Sequence, residues 1–299
     1  YNFRRELVQE LLINRYNVII SAPAHEKLAF FKELGCECIT TPINRRGINP
    51  LTDLILLIKY ILMLKNLKPN IVLTYTIKPN VYGGISCRLL KIPFITNITG
   101  LGSAVENKGL LHLLTLFLYK IVLSKARCVF FQNEENRRFF VNRNIAVENN
   151  RILPGSGVNL NYYHYMDYPS DEKIRFLFVG RVLKEKGIEY YFEAADYFKK
   201  NYSNIEFHIV GNCEEVNYFD KLKDMESKSI IKYHGRQDDV RGYYKMCHCI
   251  IHPTYYPEGM SNVLLESAAC GRPIIATNRA GCREIVDNGI NGYLVKPKD

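Results

Sequence analysis

The densest set of groups that could do chemistry lies between Tyr255 and Pro273. Pro257 and Gly259 break regular structure. A helix is predicted to start at Met260 or Ser261 and to run to about Cys270. Gly271 can end it in a left-handed conformation, and Pro273 prevents its continuation. The amino end of a helix carries free N–H groups and about half a positive charge, which suits a phosphate. Glu258 sits in the loop before this end, and Glu266 lies in the helix on the face of Asn262. Leu264, Leu265, Ala268 and Ala269 are expected to face the core. Two acids beside the N–H groups of Gly259, Met260, Ser261 and Asn262 can hold a polyol through its hydroxyls and a diphosphate through the backbone. An acid before a helix is equally a dipole partner, and a Glu within one a solvated face, so this window alone leaves both readings open.

The elements that must position these groups alternate along the whole chain. Helices are predicted over 3–14 (with Phe3, Leu7, Leu11 and Leu12 as the apolar stripe), 26–34, 51–67, 81–90, 109–125 and 134–142. Strands are predicted over 16–22, 36–41, 71–75, 94–98 and 128–132. After a lapse around 149–170, with Pro154-Gly155-Ser156-Gly157 as linker, alternation resumes. Strands 176–180, 205–210, 230–234, 249–252, 273–277 and 292–295 enclose helices 188–201, 216–227 and 240–246 and a short turn over 283–286. Such alternation predicts an α/β fold of parallel sheets covered on both faces. Two doubly wound, Rossmann-like domains, 1–155 and 156–299, would face each other across a cleft and bind ligands at the carboxyl ends of their strands. The chain opens in a helix with no strand and glycine-rich turn before it and stops just after a strand, which reads as a piece of a longer protein.

Composition narrows the field. The 299 residues are 47% hydrophobic and 23% charged, enough for two ordinary cores. Nine cysteines without a framework suit reduced thiols in the cytoplasm. Cys247, His248, Cys249 and His252 fall on a strand that turns the cysteines to one face and the histidines to the other, which argues against zinc. No Asp-x-Asp pair is present to hold a divalent ion, so no metal and no cofactor are expected. Residues 1–155 hold 21 Lys and Arg against 10 Asp and Glu, a balance of +11, and the remainder 19 against 20, a balance of −1. No nucleic-acid motif accompanies the basic half.

Glu258 and Glu266, with seven residues between them, resemble the E-x7-E motif of retaining glycosyltransferases of family 4, which have the GT-B fold. Gly180-Arg181-Val182-Leu183-Lys184-Glu185-Lys186-Gly187 is similar to that family's G-R-x4-K-G segment. His208-Ile209-Val210-Gly211, Tyr233-His234-Gly235, Gly271 to Thr277 and Gly281 to Val286 follow in the family's order. Tyr75 to Asn80 and Asn97 to Ser103 resemble its bacterial surface-polysaccharide members, with Thr99 where many relatives carry His.

The resemblance implies transfer of a sugar from a nucleotide donor, UDP expected, to a lipid-linked or free glycan acceptor in capsule or O-antigen synthesis. A sugar-nucleotide epimerase and a catalytically silent partner module are the other readings. Charge building on the diphosphate leaving group calls for fixed positive charge. Arg181 offers a planar fork and Lys186 a point charge, joined by the helix end. Glu258 would contact the donor sugar and Glu266 the ribose. Gly180, Gly211, Gly235 and Arg236 would border the donor, and Thr99 and Gly100 would lie toward the acceptor or donor sugar.

The basic half is expected to rest on the inner face of the cell membrane. Helices 51–67 and 109–125 are apolar, yet Lys59, Lys65, His112 and Lys120 interrupt them and each falls short of the roughly 20 residues of a span. The second is apolar around nearly its whole circumference, with Lys108, Lys120, Lys125 and Arg127 in or beside it. A helix of that kind can lie in an anionic interface or simply cover the sheet.

Overall fold

The computed structural model describes residues 3–44, 47, 49–102, 105 and 109–298. It divides into two units, Tyr1–Ser156 and Gly157–Asp299.

The first unit runs α1 (Arg5–Ile13), β1 (Ile19–Ala22), α2 (Leu28–Glu33), β2 (Glu37–Thr40), α3 (Pro50–Leu67) and β3 (Val72–Tyr75). A π-helical turn (Pro79–Gly83) then leads into α4 (Gly84–Leu90), β4 (Phe94–Ile98), α5 (Leu110–Leu123), β5 (Cys128–Phe131), α6 (Glu134–Val141) and β6 (Asn150–Ile152). Every pairing is parallel. Hydrogen bonds join β3-β4-β5-β6 in one sheet and β1-β2 in another. The core forms where Phe94, Ile98, Val129 and Phe131 of the strands meet Val122 and Leu123 of α5 and Phe140 of α6. Each such side chain stabilises the fold by about 1.5–3 kcal/mol.

Sequence and structure part in three places here. Phe3 and Leu7, expected on the buried stripe of α1, are exposed, and Val8 is buried instead. The polar run Asn150-Arg151-Ile152 carries no strand signal, yet it pairs with β5. Asn150 is held by Arg137, whose Nε donates to its Oδ1 at 2.7 Å, so a tertiary contact decides the local structure. The helix expected from Val81 begins as a π turn behind Thr76, which is left-handed at φ 69°. A β-branched residue takes that conformation only when its surroundings hold it there.

The second unit runs β7 (Ile174–Val179), a 3-10 turn (Lys184–Lys186), α7 (Ile188–Asn201), β8 (Ile205–Val210), α8 (Val216–Ser227) and β9 (Lys232–Tyr233). It continues with α9 (Arg241–Met246), β10 (Cys249–His252), α10 (Asn262–Ala269), β11 (Ile274–Thr277) and β12 (Gly292–Val295). The strands form one parallel sheet in the order β12-β11-β10-β7-β8-β9. Alternate residues of β7 feed two cores. Leu177 and Val179 join Tyr244, Ile250, Leu264 and Ile274 on one face. Phe178 joins Tyr191, Phe192 and Phe207 on the other. This is the alternation of a sheet covered on both sides. The short helical turn expected over 283–286 is a single turn, with the N–H groups of Ile285 and Val286 on the Cys282 carbonyl at 3.0 and 3.1 Å, that does not extend into a helix.

Part of the stretch that reads as a lapse in the sequence is packed. Arg272, fully buried, donates Nε to the carbonyl of Tyr244 at 2.8 Å and its terminal nitrogens to Met166 and Asp167 at 2.8 and 2.9 Å. The strand order places a switch between β7 and β10. From β7 the chain progresses outward to β8 and β9, and from β10 to β11 and β12 on the other side. Ligands of doubly wound sheets bind at the carboxyl ends beside such a switch.

Candidate functional site

The backbone at this switch is sewn together before any functional side chain is placed. The Gly180 N–H donates to the Val210 carbonyl at 2.9 Å and the Gly211 N–H to Gly235 at 2.8 Å. A Cβ on Gly211 would stand 1.7 Å from the Gly180 carbonyl oxygen, so only glycine allows these strand ends to abut. The loop after β7 is then tied to the loop after β10. Tyr255 N–H and the Thr254 hydroxyl donate to the Glu185 carbonyl at 2.9 and 3.3 Å. Gly187, left-handed at φ 75°, leaves no room for a Cβ, which would meet the Pro253 carbonyl oxygen at 2.0 Å.

That stitching brings Lys186 to Glu258, 72 residues apart in sequence. Lys186 Nζ donates to Glu258 Oε1, and the side chains are 15% and 13% exposed. The second carboxylate oxygen stands 4.0 Å from His252 Nε2. Burial alone would raise the Glu258 carboxyl. The charge of Lys186, with His252, the lysine hydrogen bond and Arg181, outweighs it and holds the group below the usual range. His252 is buried and pushed down to about 4 by desolvation, so it is neutral at pH 7. Its Nε2 lies 3.2 Å from the Ser261 hydroxyl, and its Nδ1 has no partner among the described residues. Arg181 is half-buried, and its charge is felt at Glu258.

The helix that follows differs from its sequence reading at its start and in its buried face, and ends at Gly271 as expected. Ser261 is the N-cap, but its hydroxyl turns to His252 and makes no cap bond. Its N–H donates to the Gly281 carbonyl at 2.9 Å, so this group, expected to face a ligand, is taken. The buried face runs through Leu264, Ser267 and Cys270, whereas Ala268 is exposed and Leu265 half-buried. At the far end Gly271 N–H bonds the Ala268 carbonyl and Arg272 N–H that of Ser267, the paired closure of a helix with glycine beyond its cap.

Glu266 is half-buried and accepts a hydrogen bond from the Tyr244 hydroxyl at 2.9 Å. Burial pushes its carboxyl up to about 7, against the hydrogen bonds of Tyr244 and Tyr163. Asn262 and Met260 are half-buried beside it in sequence, and Gly259 is buried. Arg236 stands apart from this group. It is exposed in the turn after β9, 3.7 Å from Asp238. Thr99 and Gly100 follow β4 in the first unit, both half-buried. Sequence reading missed His252 as a neighbour of Glu258, having weighed it only with the cysteines, and missed Tyr163 and Tyr244 as holders of Glu266. Among the described residues no group of three His, Cys, Asp or Glu side chains could hold a metal ion.

Residues 168–299 match the model of glycosyl transferases group 1, and residues 2–133 that of the glycosyl transferase 4-like domain. The chain belongs to these glycosyltransferases, with the two α/β units of the GT-B fold. Over its whole length it is 27% identical to an N,N'-diacetylbacillosaminyl-diphospho-undecaprenol alpha-1,3-N-acetylgalactosaminyltransferase of Campylobacter jejuni, spanning 83% of that protein. It is 27% identical over 97% of its length to a UDP-Gal:alpha-D-GlcNAc-diphosphoundecaprenol alpha-1,3-galactosyltransferase of Escherichia coli, spanning 79% of it. The fold is shared with Anabaena Alr3699/HepE solved in complex with UDP-glucose, at a TM-score of 0.77 and 17% identity, over 98% of this chain and 81% of that one.

Two outcomes follow from the site's electrostatics. Glu258→Gln leaves the Lys186 ammonium buried without its counter-charge and is expected to cost about 3 kcal/mol of stability. The double variant Lys186→Met with Glu258→Gln should recover much of that loss in denaturant unfolding. Strictly additive losses would mean the pair is not coupled. The second concerns pH. Glu266 keeps its proton in the folded chain up to about 7, whereas the unfolded chain releases it near the ordinary carboxylate value of about 4.3. Between these the folded state binds more protons, so this group's contribution to stability falls as pH rises through that window and is level above it. The buried histidines act in the opposite sense as pH falls below about 6.5. The measurement is therefore the stability difference between wild type and Glu266→Gln, which should shrink from high pH to low as the wild-type carboxyl becomes protonated. A difference that does not change between pH 4 and 8 would contradict the assignment.

Proposed function

We propose that the chain is a retaining, metal-independent glycosyltransferase. It moves a hexosyl or N-acetylhexosaminyl group from a UDP-sugar to a polyprenyl-diphosphate-linked glycan during cell-surface polysaccharide synthesis. The observation that carries this is the Lys186–Glu258 pair with Arg181 and His252 at the sheet's switch point, in the order of motifs of a glycosyltransferase. Relatives named for diphospho-undecaprenol acceptors support the acceptor class.

In this reading the bond between the sugar's anomeric carbon and the diphosphate oxygen breaks. The acceptor hydroxyl oxygen bonds to that carbon on the same face, and its proton passes to the leaving phosphate. Arg181 and Lys186 stabilise the charge that builds on the diphosphate. Lys186 does so from its pairing with Glu258, which keeps the ammonium in place and limits its side-chain freedom. Glu258 is ionised and accepts from sugar hydroxyls. Met260 and Asn262, at the start of α10, lend the helix end, with the Ser261 N–H withdrawn into the fold. Glu266 accepts from the ribose in its ionised form, so donor affinity rises with pH through about 7. Gly180, Gly211 and Gly235 keep the strand ends flat enough for the donor to lie against backbone. Thr99 and Gly100 border the acceptor or donor sugar.

The first unit's surface supports the inner face of the cell membrane as the working location. In α3, Leu56, Tyr60 and Leu64 are buried while Leu51, Leu54, Ile55, Ile58 and Leu62 are exposed. In α5, Tyr119, Val122 and Leu123 are buried while Leu110, Leu113, Leu114 and Phe117 are exposed. Packing within the unit thus uses only one face of each helix. Lys59, Lys65, Lys120 and Lys125 are exposed on or beside them, which suits an anionic surface. Lys108 lies outside the described residues. No described helix is long and apolar enough to cross a membrane.

Transfer from UDP-sugars to a polyprenyl-diphosphate-linked saccharide, measured with excess chelator, should persist. Loss restored by Mn²⁺ would mean the phosphate site is misread. Donor consumption that is independent of acceptor would favour an epimerase, and no consumption a silent module. In sedimentation with liposomes, binding should rise with anionic lipid, fall with salt and weaken several-fold in Lys120→Glu with Lys125→Glu. Absence of binding at low salt would leave a soluble acceptor.

A further inference from the structure

A second polar line in the C-terminal unit lies outside the Lys186–Glu258 group. Glu206 and His208 sit on one face of β8, two residues apart. Glu206 receives Lys173 and Lys232 at 2.8 and 2.9 Å and Arg175 at 3.1 Å. Three cations around one carboxylate keep it ionised, so it can only accept. His208, 3% exposed, has Nε2 at 3.3 Å from Glu206 Oε2 and Nδ1 at 2.9 Å from His234 Nε2. The two rings lie nearly parallel, 7° apart.

These contacts admit one arrangement of protons. Facing a carboxylate, His208 Nε2 carries the hydrogen. A buried imidazole is neutral, and desolvation pushes His208 down to about 4, so its Nδ1 is a lone pair. His234 Nε2 must then be the donor between the rings. Burial lowers His234 as well, so its own Nδ1 is a lone pair too. Among the described residues that atom has no partner, and it is the only ring nitrogen of the pair without one. His208 lies opposite Lys232, and His234 is two residues further along the same face. Its ring therefore reaches back along the sheet with Nε2 leading, and Nδ1 stays toward the carboxyl edge beside Gly235.

We propose that the line Glu206–His208–His234 fixes the His234 imidazole as a hydrogen-bond acceptor for the N–H on the pairing edge of the donor's base. The inference rests on the nucleotide-sugar reading of the site. Distance supports it. With strands about 4.8 Å apart, the end of β9 lies roughly 10 Å from that of β7, where Gly180 and Arg181 leave the sheet. A nucleoside diphosphate with its phosphates at the switch point has its base at about that remove. The ring is also held from the side by Tyr243 of α9, with centroids 4.8 Å apart. His234 is thus a specificity-determining residue, and Glu206 and His208 are positioning residues that act through it.

The experiment measures binding of UDP and of N3-methyl-UDP, which lacks the imide hydrogen, to the wild-type chain and to His234→Phe and His208→Leu, with pyrophosphate as the base-free control. Wild type should prefer UDP over the methylated ligand by tenfold or more. Both variants should reduce that ratio to within about twofold while binding pyrophosphate like wild type, a pattern that general loss of folding does not produce. An unchanged ratio in His234→Phe overturns the proposal and leaves the donor reading standing. Wild type that binds UDP no better than pyrophosphate overturns both. A readout that needs no ligand is the nitrogen spectrum of the imidazoles. His234 should be observed with its hydrogen on Nε2 in wild type and as a mixture of tautomers in His208→Leu. A His234 hydrogen on Nδ1 in wild type overturns the proposal.

Discussion

A lysine and a glutamate withdrawn together from water are the constraint on which the C-terminal unit's site depends. Neither Lys186 nor Glu258 could be that far buried alone. Desolvating one charge costs several kcal/mol, and only a partner at hydrogen-bond distance offsets it. The partner must arrive from another part of the chain and must not drift. That is why the two loops are fixed by backbone first, through Tyr255 and Thr254 on the Glu185 carbonyl and through Gly187 against Pro253. The side-chain pair is then a consequence of a scaffold that does not rely on it. Such a scaffold can present charge to a diphosphate with little reorganisation, which is what stabilising a developing anion demands.

Much of this was legible in the sequence because parallel α/β folds write themselves in local signals. In the C-terminal unit the apolar stretches Phe176 to Val179 and Ile274 to Ala276 signal strands, and Gly180, Gly211 and Gly235 mark strand ends. Glu258 stands out by type and spacing, whereas Arg181 and Lys186 stand out by resemblance to a family segment. What escaped was set by contacts between distant segments. Ser261 reads as a free cap, and nothing local says that Gly281 accepts its N–H and His252 meets its hydroxyl. Glu266 reads as a solvated or ligand-facing acid, and only the folded chain brings Tyr244 onto it. Asn150 to Ile152 is a strand by pairing and not by composition.

The N-terminal unit shows the same limit from the other side. A helix apolar around its whole circumference gives no periodic signal of which face the core will take. In α5 the choice falls on Tyr119, Val122 and Leu123, which meet the sheet, and leaves Leu113 and Phe117 outside. The sequence showed an excess of apolar surface, and the structure shows how much of it folding does not use. In the proposed membrane reading, this exposed apolar area beside lysines is the part that meets the apolar phase.

Three of the five histidines of the C-terminal unit follow one rule with two results. His252, His208 and His234 are all pushed toward the neutral form by burial. A neutral imidazole is both donor and acceptor, so what it offers depends on which neighbour claims which nitrogen. His252 lies 4.0 Å from a carboxylate already engaged by Lys186 and 3.2 Å from a serine hydroxyl, which can take either role. Its tautomer is therefore not imposed by those contacts, and its buried Nδ1 has no partner among the described residues. His208 instead meets a carboxylate that three cations hold ionised, and that single fixed acceptor sets every proton after it. Two strands away from the charged pair, the same physical chemistry thus converts an ion cluster at one end of β8 into a defined lone pair at the other. That is a property of the sheet register: Glu206 and His208 are two apart on one face of β8, and His234 lies diagonally across from His208, two residues beyond its partner Lys232.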